Sequence, residues 1–157
     1  MEKQLLSGPH SPMNIVKVVK HNREFARLHP DYFYPEGLLI FCGEQGSGKT
    51  LSAVQYVKKI CAEYPKAILC TNVAIHGLNP ETRVVEYNGL DCLKNLENGY
   101  YGVIYLIDEI HLEFNSLESK NIDIEVMIEV SQQRKQRKHI IGTTQVYGRL
   151  AKPFREQ

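Results

Sequence analysis

The segment that most constrains this chain is a strand, a glycine-rich loop and a helix in immediate succession. Leu38-Leu39-Ile40-Phe41-Cys42 is a short continuous apolar run, the pattern of a strand buried on both faces. Gly43-Glu44-Gln45-Gly46-Ser47-Gly48-Lys49-Thr50 follows at once. From Lys49 to about Glu63 the sequence has helical periodicity, with Leu51, Val54, Val57 and Ile60 on one stripe and Pro65 beyond its end. The glycines allow the loop backbone to turn its N–H groups toward phosphate oxygens without Cβ clashes. The helix that follows points its positive end at the same place. Lys49 supplies a point charge for β- and γ-phosphates, and the Thr50 hydroxyl suits Mg2+. The octapeptide therefore matches the P-loop pattern G-x-x-x-x-G-K-[ST] in the context that gives the pattern its meaning. The expected nucleotide contacts are Gly43, Glu44, Gln45, Gly46, Ser47, Gly48, Lys49, Thr50 and, directly after them, Leu51.

The rest of the chain reads as strands alternating with helices. Ala67–Thr71 is a second buried strand, Arg83–Tyr87 a third, Val103–Ile107 a fourth and His139–Thr144 the last. Helices are expected over about Asn14–Leu28, Asp91–Leu96 and Ile122–Arg134. This alternation implies an α/β fold with a mainly parallel sheet covered on both faces, a three-layer sandwich. Residues 1–36, punctuated by four prolines, read as an N-terminal helical extension, and residues 37–157 as the nucleotide-binding domain. Tyr32, Phe33 and Tyr34 are expected to pack in the core, to cover a sheet edge or to line an adenine pocket. At 157 residues with 43% apolar and 24% charged side chains, the chain has the composition of one globular domain rather than a disordered or fibrous one. No apolar run approaches the ~18–20 residues of a membrane span. The first twelve residues lack a secretory signal, and four cysteines without a metal spacing point to free thiols in a reducing cytosol.

Three further segments carry chemistry. Ile104-Tyr105-Leu106-Ile107 ends in Asp108-Glu109, which resembles a Walker B segment. Asp108 is expected to hold Mg2+ together with Thr50, and Glu109 to polarise the attacking water as general base. An acidic pair of this kind belongs to motor-like ATPases, and no guanine-reading Asn-Lys-x-Asp segment is present, so ATP is expected rather than GTP. The strand His139–Thr144 runs into Gln145, the first choice for a side chain that senses the γ-phosphate, with Thr144 second. His111 reads as a local packing residue. The net charge is +1, but it is unevenly spread: residues 37–131 carry seven Lys/Arg against thirteen Asp/Glu, and residues 132–157 seven against one. The basic run Gln132–His139 has three readings: a solvated helix end, an arginine finger reaching a neighbouring subunit's ATP, or a contact with a DNA backbone.

Taken together, these segments resemble the zonula occludens toxin-like family. The resemblance rests on GEQGSGKT after a strand, Thr71-Asn72 after the second strand, LIDEIHLEF, and a basic Arg134-containing segment before HIIGTTQ. That family includes the assembly ATPases of filamentous phages and lies near the FtsK–HerA branch of P-loop motors. The resemblance covers about Leu38 to Gln145 and implies a RecA/ASCE-like P-loop NTPase fold. It also implies that Arg134, eleven residues before Gln145, is the finger in preference to Arg137. Leu117 stands where relatives often carry a basic residue. Motors of this branch normally have another strand after the sensor strand, and the phage proteins place a membrane-spanning helix after this domain. Neither is expected here, which reads either as a truncated N-terminal domain or as a soluble relative.

The function expected on this reading is a Mg2+-dependent ATPase motor of viral or mobile-element type, moving DNA or exporting virions. Glu109, Lys49, Gln145 and Arg134 would be its catalytic residues and Thr50 and Asp108 its metal ligands. It would work as a homo-oligomeric ring in the host cytosol, with DNA a candidate partner and the membrane one only through an anchor beyond this chain. Two alternatives stand beside it, a small-molecule kinase and a nucleotide-gated scaffold.

Overall fold

The computed structural model describes residues 12–97, 99–114 and 137–150. The expected helix over 122–134, with Arg134 and Leu117, lies outside the described residues. The chain divides into two compact units, residues 1–32 and residues 33–157.

In the first unit the described residues form one helix, α1 (Pro12–Leu28), and the chain turns after it so that the Tyr32 ring meets the Phe25 ring edge-on at 4.8 Å. In the second, the elements run β1 (Gly37–Cys42), α2 (Lys49–Glu63), β2 (Ile68–Thr71), β3 (Arg83–Glu86), α3 (Asp91–Asn95), β4 (Val103–Ile107) and β5 (Lys138–Thr144). Short 3-10 turns at Gly99–Tyr101, Ile110–Leu112 and Tyr147–Arg149 connect or follow them.

The five strands among the described residues are all parallel, in the order β1-β5-β4-β2-β3. Strand alternation sorts their side chains into two cores. Leu69, Ile104, Leu106 and Ile141 face α2, where Ala53, Val57, Ile60 and Cys61 meet them. Ile68, Cys70, Val103, Tyr105, Ile107 and Ile140 face the opposite layer, which contains Leu93 of α3 and Ile110, Phe114 and Leu150. Helical elements thus cover both faces, the three-layer α/β arrangement.

Three sequence expectations need correction, and the reading of Phe33 is narrowed. Leu51 does not belong to the buried stripe of α2: it is 65% exposed, and the buried positions are 53, 57, 60 and 61. Positions 51, 54, 57 and 60 drift round the helix, whereas 53, 57, 60 and 61 stay on one face. Strand β1 is only partly buried because it pairs with β5 alone among the described strands and lies at the sheet edge. Phe33 is 2% exposed and packs in the α2-side core, 5.3 Å from the Tyr64 ring, so core packing is its role. Finally, β5 begins at Lys138, one residue before the expected start at His139, and both side chains at this end of the basic run are buried rather than solvated or facing DNA. Lys138 is buried with Nζ donating to the Leu93 carbonyl of α3 at 2.6 Å. His139 is buried between the Gly37 carbonyl and the Tyr56 hydroxyl.

Candidate nucleotide-binding and hydrolysis site

A parallel sheet brings all its carboxyl ends to one edge, and ligands of open α/β sheets bind beyond that edge. Here β1 delivers the loop 43–48, β2 delivers Asn72, β4 delivers Asp108 and Glu109, and β5 delivers Gln145. The order β1-β5-β4-β2 makes these four deliveries neighbours.

The loop turns on Gly46 at φ 78° and Gly48 at φ 81°, left-handed values that other residues rarely adopt. Gly48 is also the N-cap of α2, so the loop opens directly onto a helix start with unsatisfied N–H groups. Lys49 Nζ donates to the Glu44 carbonyl at 2.7 Å and so folds back over the loop. Ser47 N–H closes the loop onto the same Glu44 carbonyl at 3.2 Å. Gly43 N–H donates to the Thr144 carbonyl, which fastens the start of the loop to the end of β5. Leu51 lies exposed just beyond, in the first turn of α2.

Alternation along β4 and β5 continues past their last paired residues. Asp108 follows Ile104 and Leu106 toward the α2 side, and Thr143 follows Ile141. The three side chains converge there. Thr50 Oγ1 donates to Asp108 Oδ1 at 2.8 Å, and Thr143 Oγ1 donates to the same oxygen at 2.6 Å. Because the Thr50 proton is directed to Asp108, the hydroxyl lone pairs are left for a cation. A hydroxyl and one carboxylate suit Mg2+, a hard ion that keeps several waters and takes phosphate oxygens as further ligands. The donor set therefore fits the expected metal.

Glu109 is exposed at the tip of the turn, and its backbone adopts φ 53° and ψ 45°, a left-handed conformation for a non-glycine residue. Such conformations are uncommon and are retained where surrounding contacts over-determine them. Its carboxylate accepts from Gln145 Nε2 at 3.3 Å. Thr144, pointing to the other face, pairs with His111 Nδ1 at 3.2 Å, and His111 is buried.

Lys49, Thr50, Asp108, Glu109 and Gln145 are thus brought to one edge, whereas Arg134 lies outside the described residues. Thr144 turns away from the edge toward His111. Thr143 and Asn72 join the site beside the residues expected from the sequence. The period-two rule was the available signal for Thr143, since it shares a face with Gln145. No local signal in a lone sequence marks Asn72 as a contact of Asp108.

No protein-family model matches the chain, and no curated protein sequence does. Among solved structures, the N-terminal domain of zonular occludens toxin from Neisseria meningitidis is similar over 78% of this chain and 73% of its own, with TM-score 0.57 and 19% identity. The genome packaging NTPase B204 from Sulfolobus turreted icosahedral virus 2, solved in complex with ATP-gammaS, is similar over 77% of this chain and 70% of its own, with TM-score 0.59 and 15% identity. The same NTPase in complex with AMPPCP gives a TM-score of 0.55 at 14% identity. With its parallel sheet and the loop that opens α2, the chain has the P-loop NTPase fold, in a form like that of these two proteins.

Proposed function

We propose that the chain is a Mg2+-dependent ATPase domain of a viral or mobile-element motor, coupling hydrolysis to DNA movement or to virion assembly and export. The observation that carries this reading is the convergence of Thr50, Asp108 and Thr143 beside a P-loop, with Glu109 held by Gln145 next to them. The complexes of the packaging NTPase with ATP analogues support a ligand of the ATP class. The catalytic domain on this reading is residues 37–157, with residues 1–36 as an extension.

In the proposed mechanism the loop N–H groups and the start of α2 hold the phosphates. Lys49 exchanges its Glu44 carbonyl for the β- and γ-phosphates. Thr50 and Asp108 would hold Mg2+, which would neutralise phosphate charge. Glu109 accepts a proton from a water whose oxygen attacks the γ-phosphorus in line, while the bond from that phosphorus to the bridging oxygen breaks and ADP departs. Gln145 steadies the Glu109 carboxylate for that transfer. Arg134 from a neighbouring subunit stabilises the transition state in an oligomeric ring. No helix among the described residues is long and apolar enough to cross a membrane, and the host cytosol is the proposed place of action.

Two variants test this reading. Glu109→Gln keeps ATP binding and loses most hydrolysis, because an amide cannot accept the water proton. Lys49→Ala weakens binding itself. ATP affinity and phosphate release, measured for both, distinguish the roles; equal loss of binding in the two overturns the assignment.

A further inference from the structure

We propose that Thr143 and Asn72 are positioning residues that lock the peptide between Asp108 and Glu109 from both sides; this rests on the ATPase reading above. Strand β4 is flanked by β5 and β2, and each neighbour sends one side chain into the turn that follows it. From the β5 side, Thr143 Oγ1 accepts the Glu109 N–H at 2.9 Å and donates to Asp108 Oδ1 at 2.6 Å. From the β2 side, Asn72 Nδ2 donates to the Asp108 carbonyl at 3.2 Å, and Asn72 Oδ1 accepts the Asp108 N–H at 2.8 Å.

The carbonyl of Asp108 and the N–H of Glu109 are the two ends of one peptide unit. One end is held by Asn72 and the other by Thr143. Rotation of that peptide would break both bonds and would carry Glu109 out of φ 53°. It would also swing the glutamate side chain away from Gln145. The left-handed backbone at Glu109 is costly for a residue with a Cβ, and the two bonds supply the constraint that retains it. Thr143 adds a second link, because its single hydroxyl joins the backbone of the proposed base to the carboxylate of the proposed metal ligand. Through Asp108 Oδ1 that link continues to Thr50 and the phosphate loop. A metal held by Thr50 and Asp108 is therefore mechanically tied to the orientation of Glu109.

The test compares Thr143→Val, Thr143→Ser and Asn72→Ala in the full chain, with ATP as substrate and a fluorescent ATP analogue as binding probe. Valine keeps the shape of Thr143 and loses both bonds. Its kcat is expected to fall by about 10- to 100-fold, the scale of a small misplacement at a reacting centre. Nucleotide affinity without Mg2+ stays unchanged, and the Mg2+ concentration for half-maximal binding enhancement rises. Serine restores both properties. Asn72 is exposed, so Asn72→Ala leaves the core intact and carries the test if Thr143→Val does not fold. It lowers kcat with little change in KM. In the double variant the losses are less than multiplicative, because both act on one peptide.

A Thr143→Val protein with wild-type kcat and wild-type Mg2+ dependence overturns the proposal. So does a serine variant as slow as the valine one, or an Asn72→Ala variant that turns over like the wild type. A folded wild type that binds ATP but releases no phosphate overturns the ATPase reading instead, and the Mg2+ dependence of analogue binding then still decides the link between Thr143 and the metal.

Discussion

Asp108 illustrates how one residue's chemistry becomes legible from alternation. The sequence marks it as the acid at the end of an apolar strand, and its parity with Ile104 and Leu106 directs it to the α2 side, where Thr50 waits. The same parity rule points to Thr143 rather than Thr144, yet attention falls on the terminal Gln145 because a long polar side chain after a strand is the more visible feature. Lys138 is obscured differently. It sits in a run of cations, and charge suggests solvent, but β5 begins one residue earlier than the expected start at His139. His139 leads to a prediction. Burial pushes its imidazole below the usual value of 6.5, against a partly compensating contact with the Gly37 carbonyl. The unfolded chain then binds a proton more readily than the folded one as pH falls. Its contribution to stability is therefore complete above about pH 6.5 and is lost progressively below it. Urea midpoints between pH 8 and pH 5 should fall for the wild type and fall less for His139→Gln. Parallel pH profiles for the two would remove His139 as the cause.

At the scale of elements, the strands and α2 were readable because their apolar runs are long enough to dominate local propensity. The edge status of β1 was not, since a continuous apolar run reads the same at an edge or a centre, and only strand order separates the two. The 3-10 turn Ile110–Leu112 was also invisible, because it depends on a contact between distant parts of the chain. Ile110 folds back onto β5 at Gly142, where a built Cβ would lie 2.8 Å from Ile110 Cγ2 and 3.0 Å from its Cβ. The second of these atoms cannot rotate away. Gly142 is thus the position that lets the turn after Glu109 pack directly on the sheet. Gly142→Ala is expected to destabilise the domain by about 1–3 kcal/mol, as overpacking does. It should also slow hydrolysis more than it weakens ATP binding, because the displaced turn carries Glu109. Chemical denaturation together with kcat and KM would check both; an alanine variant of wild-type stability would mean that the turn has room to move.

For the whole molecule, the phosphate loop, the proposed metal ligands and the proposed base all gather at the carboxyl edge of the sheet, and the arginine that follows β5 on that side is Arg149, exposed in the turn Tyr147–Arg149. Arg137 stands just before β5, at the other end of that strand from Thr143 and Gln145. A seven-residue strand spans roughly 23 Å at about 3.3 Å per residue. An arginine at the start of β5, such as Arg137, cannot bridge that distance to the phosphate site of its own subunit. If Arg134 is a finger that serves a neighbouring subunit, as proposed, a dilute monomer holds half of an active site. Removing a finger typically costs about 10³–10⁵ in rate, so hydrolysis per subunit should rise with protein concentration or on adding DNA that assembles subunits. Mixing Arg134→Ala, which keeps its own P-loop, with Lys49→Ala, which keeps its own finger, should recover part of the activity that each lacks alone. Each mixed interface can pair an intact loop with an intact arginine. Full-speed hydrolysis by the monomer at every concentration would rule out a finger in trans. Failure of complementation in assembled mixtures would move the finger from Arg134 to Arg137 or Arg149.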